Sequence, residues 1–186
     1  INQYHDEAGY IDALVSSIRE FWKQNGRGSK LMFSFHGVPR STLLRGDPYH
    51  CQCQKSARLV TEALELGDDE WILSFQSRVG REEWLRPYTD ETVERLGKEG
   101  VDRLDVVCPG FSTDCLETLE EIAMQNAEIF EEAGGKSLRY IPALNSRSDH
   151  ISFLSDLAEN HLGGWPASFQ DDPMIRQRAM ELGAEK

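Results

Sequence analysis

The sequence lacks the glycine motifs with which many proteins hold nucleotide phosphates. No G-x-G-x-x-G follows the first apolar run, and no G-x-x-x-x-G-K-[ST] is present. Because these loops bring backbone N–H groups to the phosphates, a nucleotide-binding function has no motif support here.

Basic residues are also scarce. The chain has 20 Lys and Arg against 32 Asp and Glu, which gives a formal net charge of -12. Nucleic-acid binding requires a basic surface that neutralises phosphates, and no basic stripe is present, so the composition argues against it.

Long apolar runs are missing as well. None approaches the ~20 residues that a membrane-spanning helix needs, and the first residues do not have the pattern of a signal peptide. We therefore expect a protein that works in the cytoplasm and has no transmembrane segment.

The cysteines are few, and their spacing is not that of a zinc site. Cys51 and Cys53 are separated by one residue, and Cys108 and Cys115 lie far along the chain. No Cys-x-x-Cys pair occurs, as a zinc knuckle would require. Free thiols in a reducing compartment are the favoured interpretation. An iron–sulfur cluster with these cysteines as ligands would require both loops to meet.

What the sequence does contain is a regular alternation of helical patterns and short apolar runs. Such alternation predicts an α/β domain with a four-stranded parallel sheet between helices, a three-layer arrangement. We divide the chain into a leading helix and linker (1–28), an α/β domain (29–164) and a tail (165–186) with a short helix from Pro173. The predicted strands cover 31–36, 71–75, 104–108 and 138–142, and the predicted helices include 5–24 and 115–133.

The segment 105–121 follows the third predicted strand and carries three acidic residues. Asp114, Glu117 and Glu121 are spaced three and four apart, which would place them on one face of a helix. One explanation is a capping box, with Asp114 as the N-cap and Glu117 three residues later. The other is an acidic row for a divalent cation or for protons.

The carboxyl ends of parallel strands share one edge, where ligands commonly bind. His36 and Gln76 end or follow two of the predicted strands, and the acidic segment follows a third. Trp84 and Phe111 belong to the same edge, where they either pin a polar loop or line a flat apolar site. A histidine facing carboxylates suits either a divalent metal with open positions or proton transfer.

Several of these segments resemble one known family. They are SFHGVP (34–39), GDPYHCQC (46–53), SFQSRVGREEWLRPYTDET (74–92), CPGFSTDCLETLEEIA (108–123) and YIPALN (140–145). In this order they resemble the C-terminal half of a bacterial ferrochelatase, most closely the proteobacterial type. The resemblance runs from about residue 5 to about residue 162.

The resemblance implies a function and a fold. Ferrochelatases are lyases that insert Fe²⁺ into protoporphyrin IX to form protohaem, the last step of haem synthesis. Two Rossmann-like lobes flank the porphyrin cleft, and the motifs here match one of them. We therefore expect the N-terminal lobe of a longer protein to complete the site.

The resemblance also implies roles for the residues at the predicted edge. His36 and Glu117 match the residues assigned to catalysis and to the metal, and which of them is base and which is ligand stays open. Asp114 and Glu121 match further members of the catalytic acidic row. The expected porphyrin-cleft residues are Trp84, Phe111 and Gln76.

The same resemblance bears on cofactors. Fe²⁺ is a substrate, and no tightly bound cofactor is expected. Some family members hold a cluster with cysteines near the C-terminus, and this tail has none, so we predict no iron–sulfur cluster. Some members have His where this chain has Cys115, which puts a metal role for that position in doubt.

Three alternatives remain from the sequence. The first is a chelatase for another metal or tetrapyrrole, although aromatic residues near the edge favour protoporphyrin. The second is a module that binds iron or haem without catalysis. The third is a flavodoxin-like domain with an unrelated ligand, which the lack of a phosphate loop weakly disfavours.

Overall fold

The computed structural model describes residues 1–165 and 173–184. The strands are β1 (Lys30–His36), β2 (Trp71–Gln76), β3 (Arg103–Val107) and β4 (Ser137–Ile141). The helices are α1 (Ala8–Asn25), α2 (Arg40–Leu44), α3 (Tyr49–Ala63), α4 (Thr89–Lys98), a π-helix (Glu117–Asn126), α5 (Ala127–Glu132), α6 (Ser148–His161) and α7 (Pro173–Glu181).

The four strands form one parallel sheet in the order β2-β1-β3-β4. β1 is central, and its residues 31–35 are all buried. A parallel strand covered on both faces is expected to be apolar throughout rather than alternating, which explains this run in the sequence. The register pairs His36 with Gln76, so these two residues end adjacent strands side by side.

Helices cover both faces of the sheet, as predicted. On one face, α1, α3 and α6 pack on a core that includes Ile18, Phe33 and Phe153. On the other, α4, the π-helix and α5 pack on a core that includes Leu96, Ile122 and Phe130. The predicted three-layer α/β class is therefore confirmed.

The predicted helices differ from the observed ones in three places. The first helix begins at Ala8 rather than residue 5, and the short helix α2 was not predicted. The predicted helix over 115–133 is a π-helix followed by α5. In the tail, the helix from Pro173 is confirmed, whereas 166–172 and 185–186 lie outside the described residues.

A buried ionic cluster joins α1 and its linker to the sheet. The Asp105 side chain is fully buried on β3, and its carboxylate lies 2.6 Å from the Arg139 guanidinium on β4. The same carboxylate accepts hydrogen bonds from Trp22 Nε1 at 2.7 Å and from the Gly28 backbone N–H at 2.8 Å. The linker before β1 is therefore held by a side chain of the sheet interior.

No helix in the ranges 1–165 and 173–184 is both long enough and apolar enough to cross a bilayer.

Candidate active site

His36 lies at the carboxyl end of the central strand with its ring orientation fixed. Its Nδ1 is 2.7 Å from the Gly37 carbonyl oxygen. A carbonyl oxygen can only accept, so Nδ1 carries the proton and donates it. In the neutral ring, Nε2 then presents a lone pair that can take a proton or a metal ion.

Glu117 opens the π-helix and lines the same cleft as His36, a cavity of about 570 Å³. Its pKa lies below the ordinary value, chiefly because the Cys115 side chain hydrogen-bonds to the carboxylate, and also because the His36 ring is close. The carboxylate is thus ionised and shares the cleft with His36. π-Helical segments occur frequently at functional sites.

Glu121 lies one turn further along the π-helix, and its carboxylate is held by the loop after β2. Ser77 donates to it from the backbone N–H at 2.7 Å and from Oγ at 2.6 Å. Gln76 Nε2 adds a longer contact of 3.4 Å. Ser77 has a φ of 64°, a left-handed conformation that costs free energy in a non-glycine residue. The loop conformation that holds Glu121 is therefore strained.

Gln76 is buried and connects three elements at the edge. Its Nε2 donates to the Glu117 backbone carbonyl at 2.7 Å, and its Oε1 accepts from Ser34 Oγ at 2.7 Å. These bonds fix which end of the amide faces the π-helix. Gln76 lines the cleft, and its bond to the Glu117 carbonyl ties the first turn of that helix to β2.

Asp114 does not cap a helix, so the capping-box interpretation is wrong. The π-helix begins at Glu117, its N-cap is Leu116, and no side chain caps it. The Asp114 carboxylate instead accepts from Tyr140 Oη at 2.7 Å and from Asn145 Nδ2 at 2.7 Å. Because Asp114 precedes the helix, the expectation of three carboxylates on one helical face holds only for Glu117 and Glu121.

The two predicted aromatic residues flank His36. The ring centroids of Trp84 and Phe111 lie 6.3 and 6.2 Å from the imidazole centroid. The Trp84 loop is pinned to the body, since Trp84 pairs with Pro39 in a β-bridge. Its ring also packs closely on Gly37, where an added Cβ would lie 3.0 Å from Trp84 Cε3. His36 therefore lies beside two aromatic rings and also lines the cleft that contains Glu117.

The four cysteines are free thiols. Cys53 and Cys108 are buried, which raises the pKa of each thiol, that of Cys53 to about 12. In the described part of the chain, no three His, Cys, Asp or Glu side chains form a group that could hold a metal ion. The prediction that this protein has no iron–sulfur cluster stays a prediction.

The structure thus brings His36, Glu117, Glu121 and Gln76 to one cleft, with Trp84 and Phe111 beside His36. Three residues that hold this arrangement were missed as site residues: Ser77, Tyr140 and Asn145. Ser77 could have been found from its place directly after a strand end. Tyr140 and Asn145 belong to a segment that was noticed only for its resemblance.

Comparison with known proteins identifies a family. The family model described as Ferrochelatase matches residues 1–162. The chain is similar to the ferrochelatase of Nitrosococcus oceani, with 54% identity over all of the chain and 53% of the relative. It is also similar to that of Thioalkalivibrio sulfidiphilus, with 57% identity over 97% of the chain and 49% of the relative.

A third such relative, from Methylibium petroleiphilum, is 51% identical over all of the chain and 52% of its own length. The chain therefore spans about half the length of the curated relatives it matches. The family match over residues 1–162 shows that the chain belongs to the ferrochelatase family.

Proposed function

We propose that the protein to which this chain belongs inserts Fe²⁺ into protoporphyrin IX to form protohaem, as a metal chelatase of the lyase class. This chain would form the metal side of the cleft. The observation that carries the proposal is the His36 Nε2 lone pair, which shares a cleft with the ionised Glu117 and adjoins two aromatic rings.

Metal insertion has two chemical requirements that these residues meet. Two pyrrole protons must leave the macrocycle, and the metal ion must lose its water ligands. His36 Nε2 can accept a proton or bind the metal, and the Glu117 carboxylate can do the other. Glu121, one turn along the π-helix, would extend the acidic row away from the macrocycle.

The aromatic residues suit the shape of the second substrate. A porphyrin is flat and apolar over most of its area, and aromatic rings bury such a surface well. Trp84 and Phe111 would contact the macrocycle close to His36, so the pyrrole nitrogens would lie near Nε2. Gln76 would act at this wall chiefly by holding the first turn of the π-helix.

The proposal includes a partner and a compartment. The N-terminal half of the longer protein would supply the opposite wall of the porphyrin cleft, and no tightly bound cofactor takes part. We propose that the protein works in the cytoplasm, and the free thiols at all four cysteines suit a reducing compartment.

Substitution of Glu117 tests the proposal. The protein to use is this chain preceded by the N-terminal half of one of the relatives, which we call the joined protein. Glu117→Gln keeps the shape of the side chain and removes its charge, so kcat for metal insertion should fall at least ~100-fold. Zinc insertion into protoporphyrin, followed by fluorescence, measures this rate.

The matched control is Glu128→Gln, an exposed glutamate on α5. It should keep the rate within about twofold of the unsubstituted protein, as is usual for surface substitutions away from a site. If Glu117→Gln inserts zinc as fast as Glu128→Gln, Glu117 has no part in the chemistry and the proposed site is wrong.

A further inference from the structure

The Asp114 carboxylate accepts hydrogen bonds from several neutral donors. Besides Tyr140 Oη and Asn145 Nδ2, both at 2.7 Å, it accepts from the Ala143 backbone N–H at 3.2 Å and from Thr118 Oγ1 at 3.4 Å. Three of these four contacts go to Oδ1 and one to Oδ2. Because each carboxylate oxygen has about two acceptor positions, Oδ1 has little capacity left for a proton or a metal ion.

Apart from Thr118, the donors come from a different part of the fold than Asp114 itself. Tyr140 belongs to β4, and Ala143 and Asn145 belong to the loop that follows it. Asn145 also bonds to the backbone of the turn that contains Asp114. Its Oδ1 accepts from the Asp114 backbone N–H at 2.9 Å, and its backbone N–H donates to the Ser112 carbonyl oxygen at 2.9 Å. The turn before the π-helix is thereby fastened to the end of β4.

The Asn145 end of this connection is itself fixed. Asn145 has a φ of 47°, which Asn tolerates better than most residues. Its carbonyl oxygen lies 2.9 Å from Nδ1 of His150, and His150 is buried on α6. The anchor for the turn is therefore tied to a buried residue of α6.

We infer that Asp114, together with Tyr140 and Asn145, is a positioning residue that fixes the turn from which the π-helix presents Glu117 to His36. In this role Asp114 takes no proton from the substrate. The inference rests on the proposed function, since it assigns a role within the same reaction.

The protonation behaviour of the cluster supports this role. Burial alone would raise the pKa of Asp114, but the hydrogen bonds from Asn145, Tyr140 and the backbone outweigh it and hold the pKa below the ordinary value. Burial raises the pKa of Tyr140 above its ordinary value. Asp114 therefore stays a carboxylate and Tyr140 a neutral phenol at physiological pH.

Tyr140→Phe separates a positioning role from a proton-relay role, because it removes one donor and leaves the Asp114 charge in place. We expect kcat of the joined protein to fall about tenfold in Tyr140→Phe and in Asp114→Asn, since small misplacement of a catalytic group is costly. The double variant should be no slower than the slower single variant, as for residues that act as one unit.

The pH dependence of kcat/KM is the second readout. The pH at which it is half maximal should be the same in Tyr140→Phe as in the unsubstituted protein, because Asp114 is not the titrating group. If the Tyr140→Phe protein keeps its kcat, the inference is wrong. It is also wrong, and Asp114 relays protons, if Tyr140→Phe moves this pH upward while Asp114→Asn is inactive. Asp102→Asn, an exposed carboxylate paired with Lys136, is the control.

Amide hydrogen exchange on this chain alone decides the inference without any metal or porphyrin. Tyr140→Phe should speed exchange at Asp114 and Cys115 at least about fivefold and leave the strands unchanged, as local opening does. Unchanged exchange at these amides would overturn the positioning role. If the joined protein inserts no metal, the proposed function fails, whereas the exchange result still stands.

Discussion

Replacing His36 with alanine should lower kcat for metal insertion by the joined protein about 1,000-fold or more. General acid–base catalysis by one positioned side chain is commonly worth ~10²–10⁴ in rate, and His36 would also be a candidate ligand for the entering metal. The His36 ring lies beside Trp84 and Phe111 and also lines the cleft that contains Glu117. Zinc insertion followed by fluorescence measures the loss.

The fold should survive this substitution. The His36 backbone carbonyl, which accepts from Tyr49 Oη at 2.8 Å, is unchanged, and the side chain is only partly buried. Protoporphyrin should still quench tryptophan fluorescence, which distinguishes a catalytic loss from a binding loss. His161→Ala, at the exposed end of α6, is the control. A His36→Ala protein with more than about a tenth of the rate would contradict the assigned role.

Asp105→Asn should destabilise the folded chain by about 3–5 kcal/mol, as expected when one partner of a buried ion pair is removed. The Arg139 side chain is 19% exposed and the Asp105 side chain 0%, so water can compensate only in part for the lost charge. The amide that replaces the carboxylate also has only one acceptor oxygen, whereas Trp22, Gly28 and Arg139 all donate to the carboxylate. Urea unfolding followed by tryptophan fluorescence gives the free energy.

The matched control is Asp102→Asn on the segment before β3. Its partner Lys136 is 72% exposed, and such surface pairs contribute about 0–1 kcal/mol. If both variants unfold at the same urea concentration, the cluster around Asp105 does not stabilise the fold in the way its burial indicates. Metal insertion by the folded fraction of Asp105→Asn should be unaffected, because Asp105 is outside the cleft.

Much of the fold could be predicted because its signal is local. The central strand is recognisable from its apolar run, five consecutive residues of which are buried in the structure. Helical periodicity between such runs predicts crossover helices on both faces of the sheet. The edge that holds His36, Gln76 and Glu117 followed from strand ends in a parallel sheet alone. The functions of these residues could be predicted only from the resemblance to a known family.

The misses at the site have a common physical cause. A π-helix differs from an α-helix by its i→i+5 hydrogen bonds, and the ten residues Glu117–Asn126 span too few turns for the apolar pattern to distinguish the two. Asp114 has the spacing of a cap, but its strongest partners are 26 and 31 residues away in the chain. Tertiary hydrogen bonds of that kind override local preference, and no local signal reveals them.

The left-handed conformation of Ser77 is a similar case. Nothing in the residue type indicates a positive φ, which Gly or Asn would adopt more readily. The conformation exists because two donors of Ser77 converge on Glu121, a residue of a different element. Such strain is expected where function constrains the backbone.

The most direct test of the account is haem formation from Fe²⁺ and protoporphyrin IX under anaerobic conditions, with the joined protein and this chain alone measured side by side. We predict steady production of protohaem by the joined protein. We predict at least about 100-fold slower production by the chain alone, because one wall of the cleft would be missing. A joined protein that folds and binds protoporphyrin, yet forms no haem, would contradict the account and leave a module that only binds its ligands.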